Sequence, residues 1–466
     1  MLKMTSLRRL VHSRVLLHLS ESPGVHSSLP RCARLLSTSS RCRTVMPAWV
    51  IDKYGSNEVL RFTKNASFPI INYPNEVIVK VFAAGLSPID VAMRGGYGAA
   101  TLSMKRDPLN IKQSGSEFPL VLGRDVSGVI MECGLDVKHF REGDEVWAAI
   151  PPWKQGSLAE FVLLSANEVS HKPKCLSHIE AAAIPYVATT AWSALVNTGG
   201  LRKDNCANKR ILILGGSGGV GTFAVQMVKA WGAHVTVTCS QNAERFLRGL
   251  GADHVVDYTA GPVEKPLSAL EKFNLILDNV GGDTESWALK LLKPWSGAKY
   301  VTLVTPFMQN TDRLGVADGM MQSAATVASK ALKHLMKGVH YRWGFFAPSG
   351  CALDEIRDMV DAKQPPWLDV SGDVMASYIY TYTHILLTPT PKVYSLTTTL
   401  PSSQLHISSS PLYPLSETCP CANLLLFGCF HQWHPLLVSS ASFSFTWKSI
   451  IAASFYGRLL SARSNI

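Results

Sequence analysis

The clearest break in the pattern of apolar and polar positions falls at Arg210–Trp231. The apolar run Arg210-Ile-Leu-Ile-Leu214 gives way to glycines, Gly215-Gly-Ser-Gly-Gly-Val-Gly221. Apolar residues then return at helical spacing (Ala224, Val225, Val228) until Gly232, which predicts a strand, a tight loop and a helix. Further strands are predicted at 234–240, 273–277 and 300–305, alternating with helical stretches, as in an α/β domain with a doubly wound parallel sheet. Residues 47–170 have another texture. Short alternating runs, Glu76-Val-Ile-Val-Lys-Val-Phe82 and Leu158-Ala-Glu-Phe-Val-Leu163, are separated by Gly and Pro, which predicts a mostly β, barrel-like domain. Its turns include Ser87-Pro-Ile-Asp90, Gly123-Arg-Asp125 and Gly143-Asp-Glu145. A last helical pattern, Leu353–Asp361, ends at Lys363-Gln-Pro365.

The two ends follow neither pattern. Residues 370–466 contain six charged side chains, and about a third are Ser, Thr or Pro, without a two-residue or 3.6-residue period. Such a tail is expected to lack one specified packing, and its apolar run near 423–438, broken by His431, Gln432, His434 and Pro435, predicts no bilayer span. Residues 1–43 are rich in Arg and Ser with one acid, Glu21, and apolar residues at helical spacing. That is the composition of a mitochondrial transit peptide, and it predicts a matrix protein that begins near residue 44. The +11 net charge also divides along the chain. The leader carries +7 and the tail +2, leaving +2 for the 326 residues between, which argues against nucleic-acid binding. Cys133, Cys175, Cys206, Cys239 and Cys351 have no paired spacing, so neither a disulfide framework nor a zinc ribbon is indicated, and neither is one from Cys32, Cys42, Cys419, Cys421 and Cys429.

Gly216, Gly218 and Gly221 fit G-x-G-x-x-G in its strand–turn–helix context, where bare backbone N–H groups and a helix N-terminus can hold a dinucleotide's pyrophosphate. The alternative is a plain buried βα turn. After the second strand the chain reads Ser240-Gln-Asn242, with no carboxylate to repel a 2′-phosphate and Arg245 one turn further, which favours NADPH over NADH. Tyr258 is placed either against an adenosine or in the core.

The ordered motifs Ser87-Pro-Ile-Asp90, Gly123-Arg-Asp-Val-Ser-Gly128, Gly143-Asp-Glu-Val146, Leu158-Ala-Glu-Phe161, Ala182-Ala-Ile-Pro185 and Gly216–Gly221 resemble the medium-chain dehydrogenase/reductase superfamily, in its zinc-free quinone oxidoreductase branch. Met46–Gly55, Pro151–Gly156 and Val339–Trp343 resemble a mitochondrial member of that branch, and the resemblance spans about 44–365. It implies a GroES-like catalytic domain at 44–175, a Rossmann domain at 176–345 and a return to the catalytic domain at 346–369, truncated here and followed by the atypical tail 370–466. Zinc-dependent relatives carry Cys and His where this chain has Ser87 and Arg124, so no metal is expected. The resemblance further implies that Ser217, Gly218, Gly219, Val220, Gly221, Ser240, Tyr258, Asn279, Gly344 and Phe346 line an NADPH site. It places Tyr97, and with it the hydroxyl of Ser87, as donors to a developing oxyanion; the alternative is that Tyr97 is merely a loop aromatic. The implied substrate is a quinone, ubiquinone-related in a mitochondrion, or an activated enone. An enoyl-thioester reductase and a cofactor-binding scaffold with little turnover are the alternatives, and a homodimer or a protein partner at the mitochondrial membrane is the expected assembly. Loss of the family's closing elements after residue 365 predicts weak or absent activity, since several kcal/mol is a large part of a typical 5–15 kcal/mol margin.

Overall fold

The computed structural model describes residues 44–106 and 117–362, together with two short strands at 392–395 and 408–411. The predicted leader, the end of the return segment, most of the tail and the five leader and tail cysteines lie outside the described residues.

The mostly β domain is built from β1 (Val45–Ile51), β2 (Leu60–Ser67), β3 (Glu76–Gly85), β4 (Leu120–Val121), β5 (Asp125–Cys133), β6 (Glu145–Ala149), β7 (Phe161–Ser165) and β8 (Val169–His171). Five of them form an antiparallel sheet in the order β7-β3-β5-β6-β8, and β2-β1-β4 form a second. The two meet over one core containing Val50, Val77, Val79, Ile130, Val146 and Leu164, with Ala48 bridged to Ala159 across the seam. The turn predicted at Ser87–Asp90 is the start of a helix, α1 (Pro88–Arg94), followed by α2 (Ala99–Arg106). Pro88 supplies a preset φ at the first helical position, and Asp90 in the first turn accepts the Ser87 N–H at 2.9 Å.

A helical stretch then leads into the second domain through α3 (His178–Ala181), α4 (Pro185–Trp192) and a π-helical turn at Ser193–Thr198. His178–Thr198 is long and apolar enough to cross a membrane by length and composition, yet 67% of it is buried, with Ala181, Ala188, Ala191 and Leu195 in the core. It is the core helix between two domains.

The second domain is a six-stranded, all-parallel sheet of β9 (Arg210–Leu214), β10 (His234–Cys239), β11 (His254–Asp257), β12 (Leu275–Asp278), β13 (Lys299–Thr302) and β14 (His340–Trp343), in the order β11-β10-β9-β12-β13-β14. Ile211 and Ile213 face one apolar cluster and Leu212 and Leu214 another, so both faces are buried and the strands read as continuous apolar runs. The helices are α5 (Gly219–Ala230), α6 (Glu244–Gly249), α7 (Glu264–Ser268), α8 (Thr284–Ala288), α9 (Phe307–Leu314), α10 (Val316–Leu335) and α11 (Gly350–Asp361). Strand order reverses between β9 and β12, and in such sheets the crevice outside the carboxyl ends of those two strands is where ligands sit.

Two features depart from the sequence reading. The helices at 307–314 and 316–335 are not among those read from the sequence; Gly315 and Gly319 interrupt the stretch, and Met320, Met321 and Leu332 are exposed. In the tail, expected to lack ordered packing, Lys392–Ser395 pairs antiparallel with Ser408–Pro411.

Candidate functional site

The loop after β9 assigns each glycine a separate task. Gly215 turns the chain at φ +73°, and its N–H donates to Thr238 Oγ1 at 3.1 Å. A Cβ on Gly216 would press Val237 at 2.9 Å, and one on Gly221 would meet the Gly215 carbonyl oxygen at 2.4 Å. A Cβ on Gly218 would meet nothing closer than 3.9 Å. Gly216 and Gly221 therefore serve packing, whereas Gly218 keeps space open. Ser217 and Gly218 are exposed, Gly219 and Gly221 are buried, and Val220 lies between. The N-cap of α5 is Gly218, which has no side chain to occupy the helix start, and the partial positive charge of that N-terminus favours an anion.

Across the reversal point, the turn after β12 is held by Asp278, which is fully buried. One of its carboxylate oxygens accepts the Val280 and Gly281 N–H groups, both at 2.9 Å; the other accepts the Tyr300 hydroxyl at 2.5 Å and the Thr302 hydroxyl at 3.1 Å. This fixes Asn279, whose side-chain Oδ1 and Nδ2 are both buried with no hydrogen-bond partner. Buried amides are almost always paired, so an orphaned one beside the glycine loop marks a group awaiting a polar ligand. A dinucleotide fits this donor set.

The outer predicted positions lie just beyond the carboxyl ends of β10, β11 and β14. Ser240 heads the turn after β10 without using its side chain as a cap, and Tyr258, half exposed, is brought beside it by donating its N–H to the Cys239 carbonyl at 3.0 Å. Arg245 is exposed, whereas Arg248 is tied to Glu244 at 2.8 Å. Gly344 extends β14 by donating to the Thr302 carbonyl at 2.9 Å, and Phe346 stacks on Tyr186 with centroids 4.3 Å apart.

Tyr186 leads to the Ser87 turn, because its N–H donates to Asp125 Oδ1 at 2.6 Å, and Asp125 lies beside Ser87. Asp125 and Ser87 line a small cleft with Gly85, Leu86, Ala182, Ala183 and Val187. Burial pushes the Asp125 carboxyl well above the usual carboxylate range. Burial likewise raises Asp90, against the pull of Arg124. Ser87 donates its hydroxyl to Asp90 at 3.3 Å, so its geometry is that of a capping residue at the cleft wall. Arg124 is entirely buried, donating to the carbonyls of Pro151, Lys154 and Val121 at 2.9–3.0 Å with Asp90 3.6 Å away. A guanidinium held in this way offers no lone pair to a metal, and Ser87 supplies no thiolate, so these turns do not fit zinc.

Tyr97 is half-buried, and burial, with Asp312 next, keeps its phenol protonated well into the alkaline range. Its loop is clamped from the other domain. Asp312 of α9 accepts the Gly98 and Ala100 N–H groups at 2.7 and 3.1 Å, and Thr101 meets Thr311 at 2.9 Å. Asp125, Tyr186, Asp278 and Asp312 were not singled out from sequence as site residues. Only Asp125 had a local signal, inside the Gly123–Gly128 motif; the Asp312 clamp joins residues 214 apart.

Two family profiles match, "Alcohol dehydrogenase GroES-like domain" over residues 73–174 and "Zinc-binding dehydrogenase" over 219–334. A Danio rerio protein, "NAD(P)H oxidoreductase RTN4IP1, mitochondrial", is 77% identical over 342 residues, which cover 71% of this chain and 88% of that protein. The chain belongs to the medium-chain dehydrogenase/reductase superfamily. The Homo sapiens protein of the same name is 68% identical over 329 residues, 71% of this chain and 83% of that one. Among solved structures, the quinone oxidoreductase from Coxiella burnetii matches with a TM-score of 0.54 at 26% identity, covering 68% of this chain and 88% of that chain. The chain is thus a mitochondrial oxidoreductase of this superfamily with a nicotinamide cofactor. The second profile carries zinc in its name, but the match covers the dinucleotide domain, and the turns at Ser87 and Arg124 hold no zinc donor set.

Proposed function

We propose that this protein is an NADPH-dependent, zinc-independent reductase of a quinone or activated enone. The observation that carries the reading is the buried Asn279 amide, both polar atoms without a partner, beside the glycine loop at the point where the strand order reverses. Bound there, reduced nicotinamide supplies a hydride. The loop amides and Asn279 bind and orient it, and exposed Arg245, with no acid at the end of β10, favours the 2′-phosphorylated form. Tyr97, kept neutral by burial, donates a hydrogen bond to the oxygen on which charge develops. Asp312 positions that phenol by fixing its loop.

The likeness to the quinone oxidoreductase from Coxiella burnetii supports a quinone as acceptor; a ubiquinone-related one is the finer reading. The test is NADPH consumption by the full chain with a short-chain quinone, an enoyl-CoA, or no acceptor, with cofactor affinity measured separately. Quinone-dependent oxidation is expected, slowed by the altered C-terminus, and Arg245→Gln should weaken NADPH about tenfold while sparing NADH. Faster turnover of the enoyl thioester would replace this reading with the alternative reductase, and tight binding without turnover would favour the scaffold.

A further inference from the structure

The tip where α10 ends carries a surface that neither the core nor the cleft accounts for. Trp295, Met336 and Leu332 are 79%, 75% and 63% exposed, and Leu335 beside them is also exposed. Their placement is fixed by the backbone. The Trp295 N–H donates to the Gly338 carbonyl at 2.8 Å, and a Cβ on Gly338 would lie 2.6 Å from the indole, so the ring rests on the turn that closes the helix. Three turns earlier, exposed Met321 lies on the same helix face as Leu332, Leu335 and Met336. A soluble surface seldom orders so many large apolar side chains together without an occupant.

The charge around the tip identifies that occupant. Lys293, Lys333 and Lys337 are exposed and form no ion pair among the described residues, whereas Lys330 is drawn inward to Glu285 at 2.9 Å. Neither 293–297 nor 330–338 contains an acid. A second copy seated on this tip would set the same lysines against each other with nothing to neutralise them. An anionic lipid surface offers apolar depth and phosphate charge together.

We propose that this tip docks on an anionic phospholipid bilayer, inserting Trp295, Leu332 and Met336 at the headgroup boundary with Lys293, Lys333 and Lys337 on phosphates. Docking is independent of the electron acceptor and is read by binding alone. The full chain is sedimented with phosphatidylcholine vesicles lacking or containing cardiolipin. Binding to the cardiolipin vesicles at low salt is expected, falling about fivefold for each lysine changed to Gln. It should be abolished in the double variant Leu332→Glu, Met336→Glu, whose thermal unfolding and NADPH affinity stay as in the parent. A parent chain that stays in the supernatant overturns the proposal. So does a double variant that pellets as well as the parent, because binding then comes from elsewhere in the chain. A dimer in sedimentation velocity that the double variant splits would assign the tip to a second copy instead.

Discussion

The two walls of the proposed site are made of opposite materials. The cofactor wall is nearly bare backbone: a helix start with glycine at its N-cap, Gly218 with open space, and one amide with its hydrogen bonds unmade. The wall around Ser87 is a dense hydrogen-bond network, in which Arg124, Asp90, Ser87 and Asp125 are buried and bonded to carbonyls, N–H groups and one another. A wall that must receive a ligand leaves its valences open, whereas a wall that must hold a shape closes them. Damage to the first is therefore expected to show in binding, and damage to the second in folding.

The largest effect should come from the closed wall. Arg124→Leu leaves three carbonyls without their donor and the Asp90 carboxyl without its counter-charge, and should cost about 3–5 kcal/mol of stability. Urea unfolding measures it, and a loss below about 1 kcal/mol would show that the network is incidental. Tyr97→Phe tests the proposed hydrogen-bond donor. It keeps the ring and the Asp312 clamp, so folding and NADPH affinity should hold while quinone turnover falls about a hundredfold. A variant with parental kcat would make Tyr97 a loop aromatic.

On the open wall, one loop supplies its own control. Gly221→Ala drives a Cβ into the Gly215 carbonyl and should cost about 1–3 kcal/mol, whereas Gly218→Ala meets nothing and should unfold like the parent. Gly218→Ala should nevertheless weaken NADPH about tenfold, because its methyl occupies space that the pyrophosphate needs. Equal unfolding losses in both would refute the separation of packing from binding within this motif.

The same division explains what the sequence makes legible. The glycine loop depends on residues within one strand–turn–helix, so Gly216, Gly218 and Gly221 declare it directly. The turns at Ser87 and Gly123 are also visible as motifs, but their shared purpose is not, because Asp90 reaches the Gly123 N–H across 33 residues and Arg124 reaches the Lys154 carbonyl across 30. The Asp312 clamp is more remote still, joining residues 214 apart in the two domains. Ser87 shows the limit of transfer by resemblance: the motif locates it at the cleft wall, and only the structure shows its hydroxyl turned to Asp90.

The smallest expected effect concerns Asp125, where both walls meet through Tyr186. Burial raises this carboxyl, so the folded state prefers the neutral acid. The sign follows from linkage. Stability tied to the neutral form is complete below the ordinary carboxylate value, about 3.9, and is lost as pH rises toward the folded value. Asp125→Asn keeps an oxygen to accept the Tyr186 N–H at 2.6 Å and removes the titration. Its Tm should therefore match the parent's near pH 4 and exceed it by a few degrees at neutral pH, the gap widening in between. Melting curves for both proteins across that range decide the matter: a constant offset would mean that Asp125 is charged in the folded cleft, and that this wall presents a carboxylate rather than an acid to the substrate.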